Sequence, residues 1–388
     1  MAFPMRSRLI ILGLFVCVIL FAGCTTNKSS ETLSNQNSHY IPQQTNVSVS
    51  TTGTQASSKV CIHNNETWET WIQAASSAAF PARVRHTSLV YDNRMWVIGG
   101  EGDHGELLND VWSSADGANW SEANGSAAFS GRYDPLSLVY NDQMWIIGGW
   151  GIPGKNVSDK IRLNNDVWYS SDGIQWYEAN ASAAFPPRAG ATAITYANEM
   201  WIMGGANESG IPLNDVWYSS DGIQWHEANA SAAFSPRDRA TSVTYANKMW
   251  IIGGDSGIPL NDAWYSSDGI QWHEANASAA FLPRVAATSV VYNNRMWEIG
   301  GGNGGETASW TQFFNDVWSS SDGSNWTQAQ CKNLPEGSVT PTFQPRELHT
   351  SVVYHDRIWI IAGALNMPDN PPFDIRFMND TWYFEEST

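Results

Sequence analysis

Short apolar runs alternate with turn-forming clusters along most of this chain, at a spacing too tight for helices. The clearest stretch starts at Arg188 and reads Thr192-Ala193-Ile194-Thr195-Tyr196, then Met200-Trp201-Ile202-Met203-Gly204-Gly205. Asn214-Asp215-Val216-Trp217-Tyr218 follows, then Asp221-Gly222 and Ile223-Gln224-Trp225. These runs are β-branched, aromatic and apolar on both faces, which predicts strands a to d of stacked sheets. Gly204-Gly205 after strand b suits positive φ or a close backbone approach. Asp221-Gly222 between strands c and d is a two-residue hairpin signal. Ala232-Ala233-Phe234-Ser235-Pro236-Arg237 closes the unit and opens the next.

Six copies of this unit open at Arg83, Arg132, Arg188, Arg237, Arg284 and Arg346. A repeat of about 50 residues predicts a solenoid, propeller or array. The last copy lacks strand d, because the chain ends soon after Trp382-Tyr383. The missing strand lies at the other end: Trp71 through Arg83 aligns without gaps on Trp176 through Arg188, with no a, b or c before it. The expected fold is therefore all-β: a six-bladed β-propeller of four-stranded blades, closed by an N-terminal outer strand that completes the C-terminal blade. Closure removes the open sheet edges that a linear stack would expose.

At these residues the chain resembles the kelch-repeat β-propellers. The Arg before strand a, the Gly-Gly after strand b and the strand-d Trp match. So does a Tyr-x6-Trp spacing at Tyr169/Trp176, Tyr218/Trp225 and Tyr265/Trp272. Ser113 and Ser319 stand at the Tyr position of copies one and five, and Ala362-Gly363 replaces Gly-Gly in copy six. The resemblance implies that the d–a and b–c loops share one face around a central channel, the face that kelch domains use to bind peptides or small molecules. Ser170-Ser171-Asp172-Gly173-Ile174-Gln175-Trp176 also resembles a sialidase Asp-box, with its Gly one residue early.

The repeat explains the composition. Of 21 tryptophans, eighteen fall at three positions in six copies, and only Trp68, Trp150 and Trp310 fall outside. Charged residues make up 15% of the chain and the net charge is −17, which disfavours nucleic acid as a partner, since phosphate binding needs a basic face.

Repetition also sorts the candidate residues. A residue present in every copy is expected to serve the fold, so the six repeat arginines are read as bonding carbonyls of a neighbouring blade. The six Asn-Asp pairs are read as turn caps. The positions after each repeat Arg differ: Arg85-His86 in copy one, Tyr133-Asp134 in copy two, Asp238-Arg239 in copy four, Glu347 and His349 in copy six. That asymmetry suits a lopsided pocket. Trp150 and Trp310 in long b–c loops are candidate stacking platforms for sugar or peptide. These ten residues are the ligand-binding candidates. No catalytic residue, metal or cofactor is assigned, since His86 and His349 lack a third ligand. Glu298 replaces an apolar residue of strand b, and reads either as an acid–base group or as a tolerated change near a sheet edge. Twelve Asn-X-Ser/Thr sequons occur, Asn180, Asn229 and Asn276 among them.

The N-terminus reads as an address. Arg6 and Arg8 precede an apolar run from Leu9 to Ala22, the pattern of a secretory signal over residues 1–23. Leu20-Phe21-Ala22-Gly23-Cys24 resembles a prokaryotic lipoprotein signal, which implies a lipid on Cys24. Residues 25–60 hold 23 Ser, Thr, Asn or Gln and read with Cys24 as an anchor and polar tether over residues 24–67. Residues 68–388 form the propeller. Cys61 and Cys331 are expected on neighbouring outer strands, where they could form one disulfide.

No nucleophile motif, P-loop or metal set stands out. The expectation is a monomeric, exported, membrane-anchored module at the cell surface that binds protein or glycan without catalysis. A sugar-active enzyme is the alternative, because the resemblance extends to kelch propellers that act on sialic acids; Arg85, His86, Arg239, Glu298 or His349 would then participate. A structural envelope or adhesion role is the third reading.

Overall fold

The computed structural model describes residues 61–63, 66–68, 71–152, 161–304, 312–331, 342–367 and 374–384. The signal, Cys24 and the tether up to residue 60 lie outside them. The described residues form an all-β propeller with no helix.

Each repeat folds as the pattern predicts. In the Arg188 unit, Thr192–Tyr196 pairs with Glu199–Met203, that strand with Val216–Ser219, and that in turn with His226–Asn229, all antiparallel. The innermost strands, Thr87–Tyr91, Leu136–Tyr140, Thr192–Tyr196, Thr241–Tyr245, Thr288–Tyr292 and Thr350–Tyr354, neighbour one another in turn, and the last lies beside the first. The N-terminal strand Ile72–Ala75 pairs with the C-terminal strand Asp374–Phe384. Between these last and first units, Met378 also bridges Arg83, which joins two sets of strands into one ten-stranded sheet.

The core lies between consecutive units. Ile194, Tyr196, Trp201 and Met203 of one unit pack on Met249 and Ile251 of the next. Phe80 and Ala78 from the N-terminal segment pack with Met95, Tyr354 and Trp359. Burying one such Phe contributes about 1.5–3 kcal/mol. A Tyr at the end of each innermost strand crosses the same seam. Tyr196 Oη donates to the carbonyls of Asn247 (2.9 Å) and Ser267 (3.1 Å). Tyr354 Oη repeats this towards Asn93 (2.6 Å) and Ala115 (3.1 Å) of the first unit.

The repeat arginines bond differently from the expectation. Arg237 donates to both oxygens of Asp262 (2.7 and 2.7 Å) and to the Gly253 carbonyl (2.9 Å), and lies over the Phe234 ring. Asp262 and Gly253 belong to its own unit, while Phe234 and the Ser235 carbonyl that accepts from Nε (3.0 Å) lie in the segment closing the preceding copy. The Asp of each Asn-Asp pair is therefore an ion-pair partner rather than a turn cap. It also accepts the indole N–H two residues on, as Asp262 does from Trp264 at 2.8 Å. Only the Asn ties down the connection: Asn261 Nδ2 donates to the Ala279 (2.9 Å) and Phe281 (3.0 Å) carbonyls. The same Arg–Asp pair recurs at Arg83/Asp110, Arg132/Asp166, Arg188/Asp215, Arg284/Asp316 and Arg346/Asp380.

The Asp-Gly sites are not two-residue hairpins. Strand c ends at Ser219 and strand d begins at His226. In the loop between them Asp221 Oδ1 accepts the amides of Ile223 and Gln224 (2.8 Å each), and only Gly222 has positive φ. Glycine is required there by packing as well, since a Cβ would stand 2.2 Å from Trp145 Cζ3 of the preceding unit.

Outside the repeats, strand Cys61–His63 pairs with Glu66–Trp68 and with Gln330–Cys331. Ordered strand thus begins before residue 68, where the periodic pattern starts. The register sets Cys61 directly opposite Cys331.

Candidate functional site

The residue two places after each repeat Arg turns the chain into the channel mouth. Arg85, Asp134, Gly190, Arg239, Ala286 and Leu348 all have left-handed φ, between 50° and 62°. For five of them the amide donates to the carbonyl of the same position in the preceding unit: Arg85 to Leu348 (3.3 Å), Asp134 to Arg85 (2.8 Å), Arg239 to Gly190 (2.6 Å), Ala286 to Arg239 (3.2 Å) and Leu348 to Ala286 (3.2 Å). Five of the six are not glycine. A non-glycine residue in this region costs about 1 kcal/mol or more, and persists where surrounding bonds over-determine it.

Just before this turn the sequence reading expected only loop. Three units instead carry a short extra strand: Arg83–Val84 pairs with Glu101–Gly102, Arg132–Tyr133 with Trp150–Gly151, and Arg346–Glu347 with Ala364–Leu365. Trp150 is accordingly not a loop residue. It is the penultimate residue of strand Gln143–Gly151, opposite Leu163 and Tyr133. Its indole stacks on Tyr133 (centroids 6.2 Å apart, 24° between planes), and Arg85 lies 5.0 Å from the other ring's centroid, that of Tyr133. Trp310 lies outside the described residues.

A cavity of about 230 Å³ opens beside this stack, lined by Arg85, Asp134, Trp150, Asp238, Arg239 and Asp255 among others. Five of these six lie at or beside the positions singled out from the sequence. Asp255 was missed; it ends a strand b and follows Gly253-Gly254, so only its neighbourhood to the Asp238 bridge places it here. Arg239 reaches Asp255 at 3.2 Å and Asp238 at 3.5 Å, and Arg85 reaches Asp134 at 3.7 Å. Burial raises the Asp134 carboxyl above its ordinary range despite Arg85 and Arg239. Burial likewise pushes Glu347 up to about 7 against the pull of Arg239 and Arg85.

A second cavity of about 140 Å³ continues from the mouth, sharing Arg85, Asp134 and Arg239 and adding His86 and His349. His86 Nε2 contacts Thr350 Oγ1 at 2.9 Å and His349 Nε2 contacts Thr288 Oγ1 at 3.1 Å. Both imidazoles are buried, and Nδ1 of each has no partner. Burial and Arg83 hold His86 well below the usual imidazole range, with His349 adding to the effect; burial and Arg346 lower His349 to about 3. Both are neutral. Among the described residues no three His, Cys, Asp or Glu groups stand together as a metal site.

Glu298 is not near a sheet edge. It is fully buried, with Oε2 accepting from Ser289 on the adjacent strand of its own unit (2.5 Å) and from Thr241 across the seam to the preceding unit (3.0 Å). Oε1 has no partner. Burial raises its carboxyl to about 7, against those hydroxyls and Arg284. It lines neither cavity at the mouth.

A family model described as the KLHDC2/KLHL20/DRC7 Kelch-repeats domain matches residues 150–363. The chain belongs to the kelch-repeat family. A solved structure titled "Structure of YjhT" is similar in fold, with a TM-score of 0.59 and 14% identity over 79% of this chain and 100% of that chain. Identity this low speaks to the fold alone. No curated protein matches the kelch chain described here.

Proposed function

We propose that this kelch protein is an exported, membrane-tethered recognition module that binds a protein or glycan at its channel mouth without transforming it. The carrying observation is convergence: side chains absent from most copies of the repeat, Arg85, Asp134, Trp150, Asp238 and Arg239, meet around one cavity, with Tyr133 stacked on Trp150. An aromatic stack beside fixed charges suits a ligand with one flat apolar face and several polar groups. A glycan and peptide array tests this reading. Saturable binding by the intact protein should be lost in a Trp150→Ala/Tyr133→Ala double variant of unchanged melting temperature. Undiminished binding sinks the mouth assignment.

The propeller is proposed to have six blades, with Ile72–Ala75 completing the last. Trp71 packs with Trp382 and Phe384 of the C-terminal strand, and Phe80 is fully buried. Deletion of residues 68–82 should then destabilise the whole ring, whereas unchanged melting contradicts closure. The opposed register of Cys61 and Cys331 supports a disulfide there; mass spectrometry of the unreduced protein should find the two peptides linked. Arg6, Arg8 and the run to Cys24 support export and lipidation on Cys24, which metabolic labelling with a fatty-acid analogue and a Cys24→Ser control checks. The acidic charge fits a monomer working outside the cytoplasm, with no nucleic-acid partner.

One observation favours a second reading, a sugar-active enzyme. Glu347 titrates near neutrality beside two arginines, as a general acid or base would. Turnover of a sugar panel that vanishes in Glu347→Gln supports it; no turnover of any member removes it.

A further inference from the structure

The charges at the mouth do not suit the anion clamp that its arginines first suggest. Arg85 and Arg239 already face Asp134, Asp238 and Asp255. Glu347 and Glu101 act on Arg85 as well. Carboxylates therefore outnumber guanidiniums around the opening, in a chain that is itself strongly acidic. The deeper cavity offers no positive charge from its two imidazoles, which are buried and neutral. In the tautomer that donates Nε2–H to Thr350 or Thr288, each Nδ1 carries a lone pair and lacks a donor. Two exposed isoleucines stand on the b–c loops that flank the cavity: Ile211 (57% exposed), between the lining residues Gly210 and Pro212, and Ile258 (67% exposed), next to Gly257.

We propose that the mouth binds a cationic side chain, the ammonium or guanidinium of a Lys or Arg on a partner protein segment whose neighbouring apolar residues rest on Ile211 and Ile258. This rests on the recognition reading above and narrows its ligand class. The cation enters between Trp150, whose indole is braced by Tyr133, and the aspartates. There it gains cation–π attraction and charge-assisted hydrogen bonds together, while its apolar stem lies along the rings. Its arrival also draws Asp134 and Glu347 back to their ionised forms, because a nearby positive charge favours a carboxylate. The isoleucines select a peptide over a free amine, since only a peptide covers both the cavity and its apolar rim.

The test uses the full folded chain and matched peptide arrays in which one central residue is Lys, Arg, Gln or Glu between apolar neighbours. The Lys and Arg peptides should bind, more weakly as salt rises. Asp134→Asn/Asp238→Asn should weaken them by about tenfold or more, and Ile211→Ser/Ile258→Ser by a smaller factor, with melting temperature checked for each. If the aspartate pair disturbs folding, the surface isoleucine pair and the Lys-to-Gln peptide comparison still decide. Preference for Glu peptides or carboxylated sugars overturns the charge class while leaving the recognition reading intact. Equal binding of pentylamine and the Lys peptide overturns the protein source. Binding that survives Trp150→Ala/Tyr133→Ala fails the mouth reading itself.

Discussion

Arg83 and Arg85 are two residues apart and do opposite work. Arg83 is fully buried, holds both oxygens of Asp110 (2.8 and 2.7 Å) and the Gly99 carbonyl, and has a counterpart with the same aspartate and carbonyl bonds in every copy. The Arg85 side chain is 31% exposed, stands 3.7 Å from Asp134, and is replaced by Asp, Gly, Arg, Ala and Leu at the same position of the other copies. A repeat protein thus carries its own controls: what recurs in every copy builds the frame, and what varies between copies is available for a ligand or is a fault to be accommodated.

Four substitutions press on that contrast. Arg237→Ala leaves Asp262 buried without its cation, so it should cost about 3–5 kcal/mol in chemical denaturation. A loss below 1 kcal/mol would erase the distinction between frame and mouth. Glu298 tests a singular residue outside the mouth. Its folded pKa of about 7 lies above the ordinary 4.5, so its contribution is fully present below about pH 4.5 and is lost as pH rises through 7. Relative to Glu298→Gln, the wild type should lose up to about 3 kcal/mol between pH 4.5 and 8. Parallel stability curves for the two proteins would place the charge in water instead. Gly222→Ala drives a Cβ towards Trp145 at positive φ, and should lower stability by about 1–3 kcal/mol. Arg85→Ala should change stability by no more than about 0.5 kcal/mol, because its ion pair is long and partly solvated, while altering ligand binding. A large stability loss at Arg85 would make it part of the frame.

The strands, their order and the closing N-terminal segment were legible because each is written several times over in hydrophobic pattern and turn residues. The candidate site was legible only as a difference between copies, and that sufficed to find Arg85, Asp134 and Arg239. It did not reveal that Trp150 sits on a strand, because the short pairing partner Arg132–Tyr133 is two residues long and has no periodicity to read. Nor did it pair each repeat Arg with its Asp. The two lie between 25 and 34 residues apart, and only the folded sheet brings them together. Glu298 was seen as an exception, but its burial at a seam depends on Thr241 from another copy, which no local pattern reports.

The left-handed turns at the mouth have an evolutionary consequence. Five of the six are secured by main-chain bonds, head to tail, and those bonds are indifferent to the side chain attached. Any residue that tolerates a left-handed backbone can be installed there without retooling the ring. The positions already hold a cation, an anion, a glycine, a second cation, an alanine and a leucine. The mouth is thus a socket with interchangeable pins: its charge and shape can change through a few codons, while the buried spokes beneath remain the same.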